Sequence, residues 1–227
     1  MTALIITALI WVGLHIGLAG TRLRDPIARR LGDQGFRALF SVLSLAAIFV
    51  LARSYAAAPY RGLWVAPDWL RWLLVLAMLP AFALFAGAVL SRNPTSLGPP
   101  IGPEWQPRGM VRITRHPMLC SFALWALVHI IGTGDAASLI FFGAFGVTAL
   151  AGTKSIDAKL ARRQPVLWRT LAAGTSIVPF GAILAGRNHF APRELGWSVP
   201  VLALVLWGGL LILHPLLFGM SPLPHVR

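Results

Sequence analysis

The chain has 227 residues, of which 57% are apolar and only 12% are charged, whereas soluble domains average about 45–50% apolar residues and about 25% charged ones. This composition excludes a disordered chain, a coiled coil and a soluble domain, and it indicates a protein that lies in the lipid bilayer. The 20 Lys and Arg residues against 7 Asp and Glu give a net charge of +13. Because the basic residues fall between apolar runs, they follow the positive-inside pattern of membrane proteins. We therefore expect membrane lipid, and no nucleic acid, as a partner.

Apolar runs near the roughly 20 residues that a transmembrane helix needs predict an all-α integral membrane bundle, a single domain over residues 1–227. We expect about six spans, at 2–20, 36–58, 69–90, 117–132, 136–152 and 197–218. Basic residues come after the first run and not before it, which is the reverse of a secretory signal, so we expect a retained first helix. Residues 171–186 form a shorter apolar run, which we interpret as an interfacial or re-entrant segment, with a short span as the alternative.

The distribution of Lys and Arg predicts the orientation. Residues 21–37, 91–116 and 153–196 carry 16 of the 20 basic residues. The other four are Arg53, Arg61, Arg71 and Arg227. The positive-inside rule places the first group in the cytoplasm, which predicts an inner (cytoplasmic) membrane protein with a periplasmic N-terminus.

Four histidines lie in or next to the predicted spans, at two depths. His15 lies near the cytoplasmic end of the first span, and His116 lies at the cytoplasmic start of the fourth, where Pro117 should fix it as a helix cap. His129 and His214 lie near the opposite face. Histidines within a membrane usually face the protein interior, and neutral imidazole is a common ligand of haem iron. We predict that these four are metal ligands, with a hydrogen-bonded packing role as the alternative for each.

Several other residues near His116 are candidates for the same site. Arg112 and Arg115 flank it at a helix N-terminus, where guanidinium groups suit the propionates or phosphates of a ligand; inside-charge bias alone is the alternative. The single cysteine, Cys120, excludes an internal disulfide and a Cys-based zinc or iron–sulfur site. We interpret Cys120 as a packed small side chain, with a thiolate ligand as the alternative. Asp157 is expected to balance neighbouring arginines at the membrane surface.

Four sequence stretches together resemble a known family. They are GMVRITRHPMLCSFALW at 109–125, HIGLAGTRLRD at the end of the first span, TSIVPFGAILAGR at 175–187 and ILHPLLFGMSP at 212–222. As a set, in this order, they resemble the NnrU family of bacterial membrane proteins, which is similar to 15-cis-zeta-carotene isomerase. The resemblance implies haem b and isomerisation of a cis double bond in a lipophilic polyene, with His116 as a haem ligand and His15 as its partner. A second haem at the level of His129 and His214 is the alternative, so we expect one or two haem b groups per chain. It also implies an association with nitric oxide and nitrite metabolism in denitrification.

One residue departs from the isomerase pattern, because the isomerase has a cysteine just before its R-H-P where this chain has Thr114. R-H-P also resembles, more weakly, the isoprenylcysteine methyltransferase family, in which this segment helps to bind S-adenosylmethionine. LARRQPVLW and IVPF follow in the order of that family, but its paired glutamates are missing and only Asp157 is near. A non-enzymatic assembly or regulatory factor for denitrification is the third hypothesis.

Overall fold

The computed structural model describes residues 1–96, 101–102 and 104–224, and within these ranges the regular structure is helical. The sequence-based assignments of residues 97–100, 103 and 225–227, with Arg227 among them, lie outside the described residues. The helices are α1 (Thr2–Val12), continued by a π-helix (Gly13–Leu18), α2 (Arg24–Ala56), α3 (Asp68–Leu90), α4 (Met110–Ile113), α5 (Pro117–Thr133), α6 (Ala136–Arg163), α7 (Pro165–Gly174), α8 (Gly181–Leu184), a 3₁₀ turn (Pro192–Leu195) and α9 (Ser198–Phe218). The predicted all-α class is confirmed.

Four helices, α2, α3, α6 and α9, are long and apolar enough to cross a membrane. Two further apolar helices are shorter: Thr2–Leu18, which joins α1 to the π-helix, and α5. The chain is thus a helical membrane protein with four candidate spans. The predicted count of about six spans is not confirmed by these lengths and stays a prediction for the two shorter helices.

Two helices extend beyond the predicted spans. α2 begins at Arg24 rather than at residue 36, with a break at Gly32, whose φ of 73° and ψ of 166° are not helical. α6 continues past residue 152 as far as Arg163. The charged residues in these extensions end an apolar run, but they do not disfavour a helix. Hydropathy therefore located the apolar part of each helix and missed the part that continues beyond it.

The apolar run 171–186 does not form one continuous helix. α7 ends at Gly174, Thr175 is extended (φ −137°, ψ 172°), and Phe180 adopts a left-handed conformation (φ 62°) just before α8. Neither α7 nor α8 has the roughly 20 residues that a span needs. The segment folds against the R-H-P segment, since the Phe180 N–H donates to the Ile113 carbonyl at 2.8 Å.

The connections between helices collect at two ends of the bundle. At one end, called the R-H-P end after Arg115-His116-Pro117, Ser155 Oγ donates to the Gly20 carbonyl at 2.7 Å and the Arg115 N–H donates to the Ser176 carbonyl at 3.0 Å. At the other, called the turn end after Gly134-Asp135, the Ala136 N–H donates to the Arg61 carbonyl at 2.9 Å. Asp135 caps α6 by accepting from the Ala137 and Ser138 N–H groups.

Three apolar clusters hold the helices in place. One joins α1, α2 and α6 through residues such as Leu4, Leu51 and Ala144. The second joins α3, α4 and α9, where Met110 packs so closely on Gly87 that a Cβ there would lie 2.6 Å from its side chain. The third packs α7 and the C-terminal part of α6 against α4. α4 contributes to two of these clusters, so the R-H-P segment is fixed from both sides.

Candidate functional site

The R-H-P segment holds His116 in a defined backbone position. α4 ends at Ile113, Thr114 is extended (φ −151°, ψ 142°), and His116 is the N-cap of α5 with φ −121° and ψ 57°. The residue before a proline avoids helical geometry, whereas proline suits the first helical position. The predicted cap is confirmed, and the His116 side chain is buried, since the residue is only 1% exposed.

Asp157 lies at the centre of the site, between a guanidinium group and an imidazole. Arg115 donates to its Oδ2 from Nη2 at 2.7 Å and from Nε at 3.0 Å. His116 Nε2 lies 2.8 Å from its Oδ1. Arg115 also stacks over the Trp168 ring, with 5.4 Å from the guanidinium carbon to the ring centroid. The sequence predicted that Asp157 balances arginines, but its hydrogen bond to His116 was not predicted.

The contact with Asp157 defines which nitrogen of His116 is available. An ionised carboxylate only accepts hydrogen bonds, so His116 donates through Nε2–H and carries its lone pair on Nδ1. Nδ1 is buried and has no hydrogen-bond partner in the described part of the chain. Buried polar atoms almost always have a partner, and an exception calls for an explanation. The unpartnered Nδ1 indicates a position where a metal or a polar group of a ligand would bind.

His15 lies on the π-helix, a rare helical form that is frequently found at functional sites. Its Nδ1 is hydrogen-bonded to the Trp11 carbonyl at 2.9 Å. Its ring packs on Trp11 at a centroid distance of 3.9 Å and meets the Phe40 ring edge-on at 5.2 Å. The backbone bond leaves Nε2 as the second nitrogen of His15. The composition of the segment GLHIGL gave no signal for a π-helix.

The two histidines approach α6 from different elements. Ser155 and Lys159 of α6 donate to the carbonyls of Gly20 and Ala19, just after the π-helix, and Asp157, between them in sequence, binds His116. The segment that follows His15 and the His116 side chain therefore both contact residues 155–159 of α6. In residues 1–96, 101–102 and 104–224, no hydrogen bond or ring contact joins His15 to His116.

Arg112 and Arg115, the predicted cofactor-binding arginines, each form an ion pair with a carboxylate of the chain. Arg112 binds Glu194 through Nε and Nη2 at 2.8 and 2.9 Å, and it binds the Asn188 side-chain oxygen at 2.7 Å. The Arg112 guanidinium holds the pKa of the Glu194 carboxyl below its ordinary value. The Gly109 N–H also donates to Glu194, at 2.7 Å. Glu194 thus ties the 3₁₀ turn before α9 to α4.

Cys120 faces Thr114 across the start of α5. Its Sγ lies 3.4 Å from Thr114 Oγ1 and 3.5 Å from the Ile177 carbonyl. The hydroxyl of Thr114 donates to the same carbonyl at 2.7 Å. Cys120 is half-buried and packs at the edge of the apolar cluster of α3, α4 and α9. These contacts are those of a packed, weakly hydrogen-bonding thiol.

His129 and His214 are brought together at the turn end, with 6.4 Å between their ring centroids. Their Nδ1 atoms are hydrogen-bonded to backbone carbonyls, Trp125 for His129 and Met220 for His214. Within the described residues, no group of three or more His, Cys, Asp or Glu side chains lies close enough to hold a metal ion. The four predicted histidines thus divide into one pair in ring contact and two residues with separate partners.

Comparisons with known proteins give the family. The chain is 28% identical to the chloroplastic 15-cis-zeta-carotene isomerase of Arabidopsis thaliana and 24% identical to that of Zea mays, each over 229 residues that cover 96% of this chain and 61% of the relative. The chain therefore spans about three fifths of the length of these curated relatives. No solved structure matches it. The family described as NnrU protein matches residues 3–222, and the chain therefore belongs to the NnrU family.

Proposed function

We propose that this protein is a membrane-embedded isomerase of a cis double bond in a lipophilic polyene, and that it uses haem b held by His15 and His116. Similarity to two 15-cis-zeta-carotene isomerases over 96% of the chain supports the reaction class. The observation that carries the site is the buried Nδ1 of His116, which has no partner in the described residues although Asp157 holds the other ring nitrogen.

The two imidazoles fit a haem iron by their free nitrogens. His15 donates from Nδ1 to a backbone carbonyl and keeps Nε2, which is the usual arrangement of a metal-ligating histidine. His116 is arranged the other way round and offers Nδ1. Bound haem would supply a Lewis-acid or one-electron centre that lowers the order of the double bond. Arg112 and Arg115 place two positive charges at this end, which suits haem propionates, although each is paired with a carboxylate.

Asp157 and Arg115 set the state of His116. The carboxylate accepts the Nε2–H and so fixes both the orientation and the tautomer of the ring. The bidentate guanidinium balances the carboxylate charge and holds the carboxylate in place as the acceptor for His116. Both residues are therefore positioning residues for His116, and neither needs to touch the substrate.

The substrate would enter from the lipid phase. Only 11% of the most apolar stretch of α2 and 6% of that of α9 is buried, so both helices present wide apolar faces outside the bundle. We also propose that the R-H-P end faces the cytoplasm of the inner membrane and that the N-terminus is periplasmic, because the basic residues group at that end. A periplasm-specific reporter fused after α9 should be active, and the same reporter fused after α6 should be inactive.

The direct test uses cells that accumulate 15-cis-zeta-carotene and lack an isomerase for it, grown in the dark because light itself isomerises polyenes. Chromatography of the pigments should show conversion to the trans isomer with the wild type and loss of conversion with His15→Ala or His116→Ala. His189→Ala is the matched control, since His189 is an exposed loop histidine. Dark cells that contain folded, haem-loaded wild-type protein and show no conversion would contradict the isomerase proposal.

The nitric oxide and nitrite role stays a second prediction, which spectroscopy of the purified protein tests. A spectral shift on adding nitric oxide to the reduced protein, together with absence of polyene conversion, would favour that role.

The methyltransferase alternative has less support, because Asp157 and Glu194, acids near the R-H-P segment, are already paired with Arg115 and Arg112. Saturable binding of S-adenosylmethionine to the detergent-solubilised protein would revive it. A strain that lacks the protein but keeps fully active, cofactor-loaded reductases would argue against the assembly-factor hypothesis.

A further inference from the structure

The pair of histidines at the turn end comes from two different helices. His129 lies in the last turn of α5, and His214 lies near the end of α9. Their ring centroids are 6.4 Å apart and their planes are within 23° of parallel. Neither residue takes part in the His116 site, so their approach needs an explanation of its own.

Backbone carbonyls fix the tautomer of both rings. The Trp125 carbonyl accepts from His129 Nδ1 at 2.8 Å, and the Met220 carbonyl accepts from His214 Nδ1 at 2.7 Å. The second contact depends on Gly219, whose left-handed conformation (φ 73°) ends α9 and turns the chain back. Because a carbonyl only accepts, each neutral ring keeps its lone pair on Nε2. In the described part of the chain no donor is hydrogen-bonded to either Nε2, and two such acceptor nitrogens on neighbouring rings favour a bound cation.

The spacing suits one metal centre shared by the two rings. Each metal–nitrogen bond is about 2 Å long, so two imidazoles on opposite sides of one metal have ring centres on the order of 6 Å apart. The observed centroid distance is 6.4 Å. A backbone carbonyl on the other ring nitrogen is the usual way in which metal-ligating histidines are oriented.

The surroundings select the class of metal. The rings that pack on the pair are aromatic: Phe142 on His129 at 4.7 Å, Trp125 on His129 at 5.1 Å and Phe218 on His214 at 4.7 Å. No third His, Cys, Asp or Glu joins the pair among the described residues. Hard cations need several oxygen ligands and structural zinc needs four ligands. A centre that is satisfied by two imidazoles is copper(I) or haem iron.

We propose that His129 and His214 form a two-imidazole metal site at the turn end, separate from His116, which takes a copper(I) ion or a haem iron. The full chain in detergent is titrated with copper(I) against a chromogenic chelator and, separately, with haemin. The wild type should bind one copper(I) ion, or one haemin in addition to the haem that His15 and His116 are proposed to hold. His214→Leu should weaken that binding by more than about tenfold, whereas His214→Met, which has a thioether that ligates both metals, should retain it with a shifted spectrum.

The Leu and Met variants separate ligation from folding. The two side chains are similar in size and both are apolar, so a purely structural role of His214 would leave them alike. His129→Leu should repeat the loss seen with His214→Leu. The proposal does not depend on the isomerase function, since the His116 site is intact in these variants. It is wrong if the wild type binds neither copper(I) nor a haemin beyond the one at the His15/His116 site, or if His214→Leu and His214→Met bind that ligand equally well.

Discussion

At the R-H-P end the chain holds His116 by a carboxylate, whereas at the turn end it holds His129 and His214 by backbone carbonyls. The carboxylate of Asp157 is itself held by Arg115, so two charged side chains, Asp157 and Arg115, are linked to one buried ring. The carbonyls at the turn end bring no charge, and the rings around them are aromatic. Both arrangements orient an imidazole, but only the first adds charge next to it.

The difference follows the surroundings of each end. Charged groups inside a membrane are costly unless they are paired and lie near its surface. The R-H-P end has basic residues and irregular segments around it, so an Arg–Asp–His cluster is stable there. The side chains that pack on His129 and His214 are aromatic, and there a backbone carbonyl orients each histidine without adding a charge. The comparison predicts that loss of a charge at the R-H-P end lowers the stability of the protein. At the turn end, changes of backbone conformation and loss of neutral hydrogen bonds should lower it.

Replacement of Asp157 should have the largest effect. Asp157→Ala leaves the guanidinium of Arg115 without its carboxylate, and breaking a buried ion pair costs about 3–5 kcal/mol. The side chains of Arg115 and Asp157 are only 12% and 11% exposed, which justifies the buried value. Unfolding of the detergent-solubilised protein by denaturant measures the change. Asp157→Asn, which keeps an oxygen for His116, should lose less; an Asp157→Ala variant as stable as the wild type would contradict the account.

Gly134→Ala should have the next largest effect, at the turn end. Gly134 has φ 65°, and a Cβ would lie 2.1 Å from the Trp64 carbonyl oxygen. Backbone strain and this clash should lower the free energy of unfolding by about 2–4 kcal/mol. Gly186→Ala is the matched control, because Gly186 has φ 68° and open space around its Cβ position. Equal losses in the two variants would show that the contact with Trp64 does not matter.

Glu194 should make the stability of the R-H-P end depend on pH. Arg112 lowers the pKa of Glu194 from its ordinary 4.5 in the folded chain. The stabilisation is therefore fully present above pH 4.5 and is lost as the pH falls through the lower, folded value. Glu194→Gln should lower the free energy of unfolding by about 1–2 kcal/mol at neutral pH, and this difference from the wild type should disappear on acidification. Thermal unfolding of both proteins over this pH range tests the prediction. A difference in stability that does not change with pH would contradict it.

Tyr55→Phe should have the smallest effect. Its hydroxyl lies 2.7 Å from Ser138 Oγ near the turn end, and this neutral hydrogen bond should be worth about 1 kcal/mol. The other tyrosine of the chain, Tyr60, is 76% exposed. Tyr60→Phe should therefore leave the midpoint of thermal unfolding unchanged, and a shift as large as that of Tyr55→Phe would contradict the assignment.

Sequence patterns predicted those parts of the fold that depend on local signals. Pro117 after His116 marked the start of α5, and the apolar run that begins at residue 136 marked the start of α6. The helical extension at the start of α2 and the π-helix at His15 were missed, because hydropathy follows lipid contact and not backbone hydrogen bonds. Hydropathy also could not separate α7 from α8, since the break at Thr175 and Phe180 depends on packing against α4.

The same limit applies to the candidate site. Depth along the spans predicted that His129 and His214 lie at one level, and the structure brings their rings together. The contact between His116 and Asp157 joins residues 41 positions apart on different helices, which no local pattern encodes. A signal was present in Asp157, the lone acid among the basic residues of α6, because an ionisable side chain in a membrane helix usually pairs with a partner inside the bundle.

The most direct measurement is the haem content of the purified wild type, His15→Ala, His116→Ala and His189→Ala, by optical spectrum and pyridine haemochrome on the same samples. The account predicts b-type haem in the wild type and in His189→Ala. It predicts loss of the haem, or a shifted Soret band, in each of the other two variants. Colourless wild-type protein from haem-sufficient cells, or an unshifted spectrum in His116→Ala at unchanged haem per chain, would contradict the proposal that His15 and His116 hold a haem.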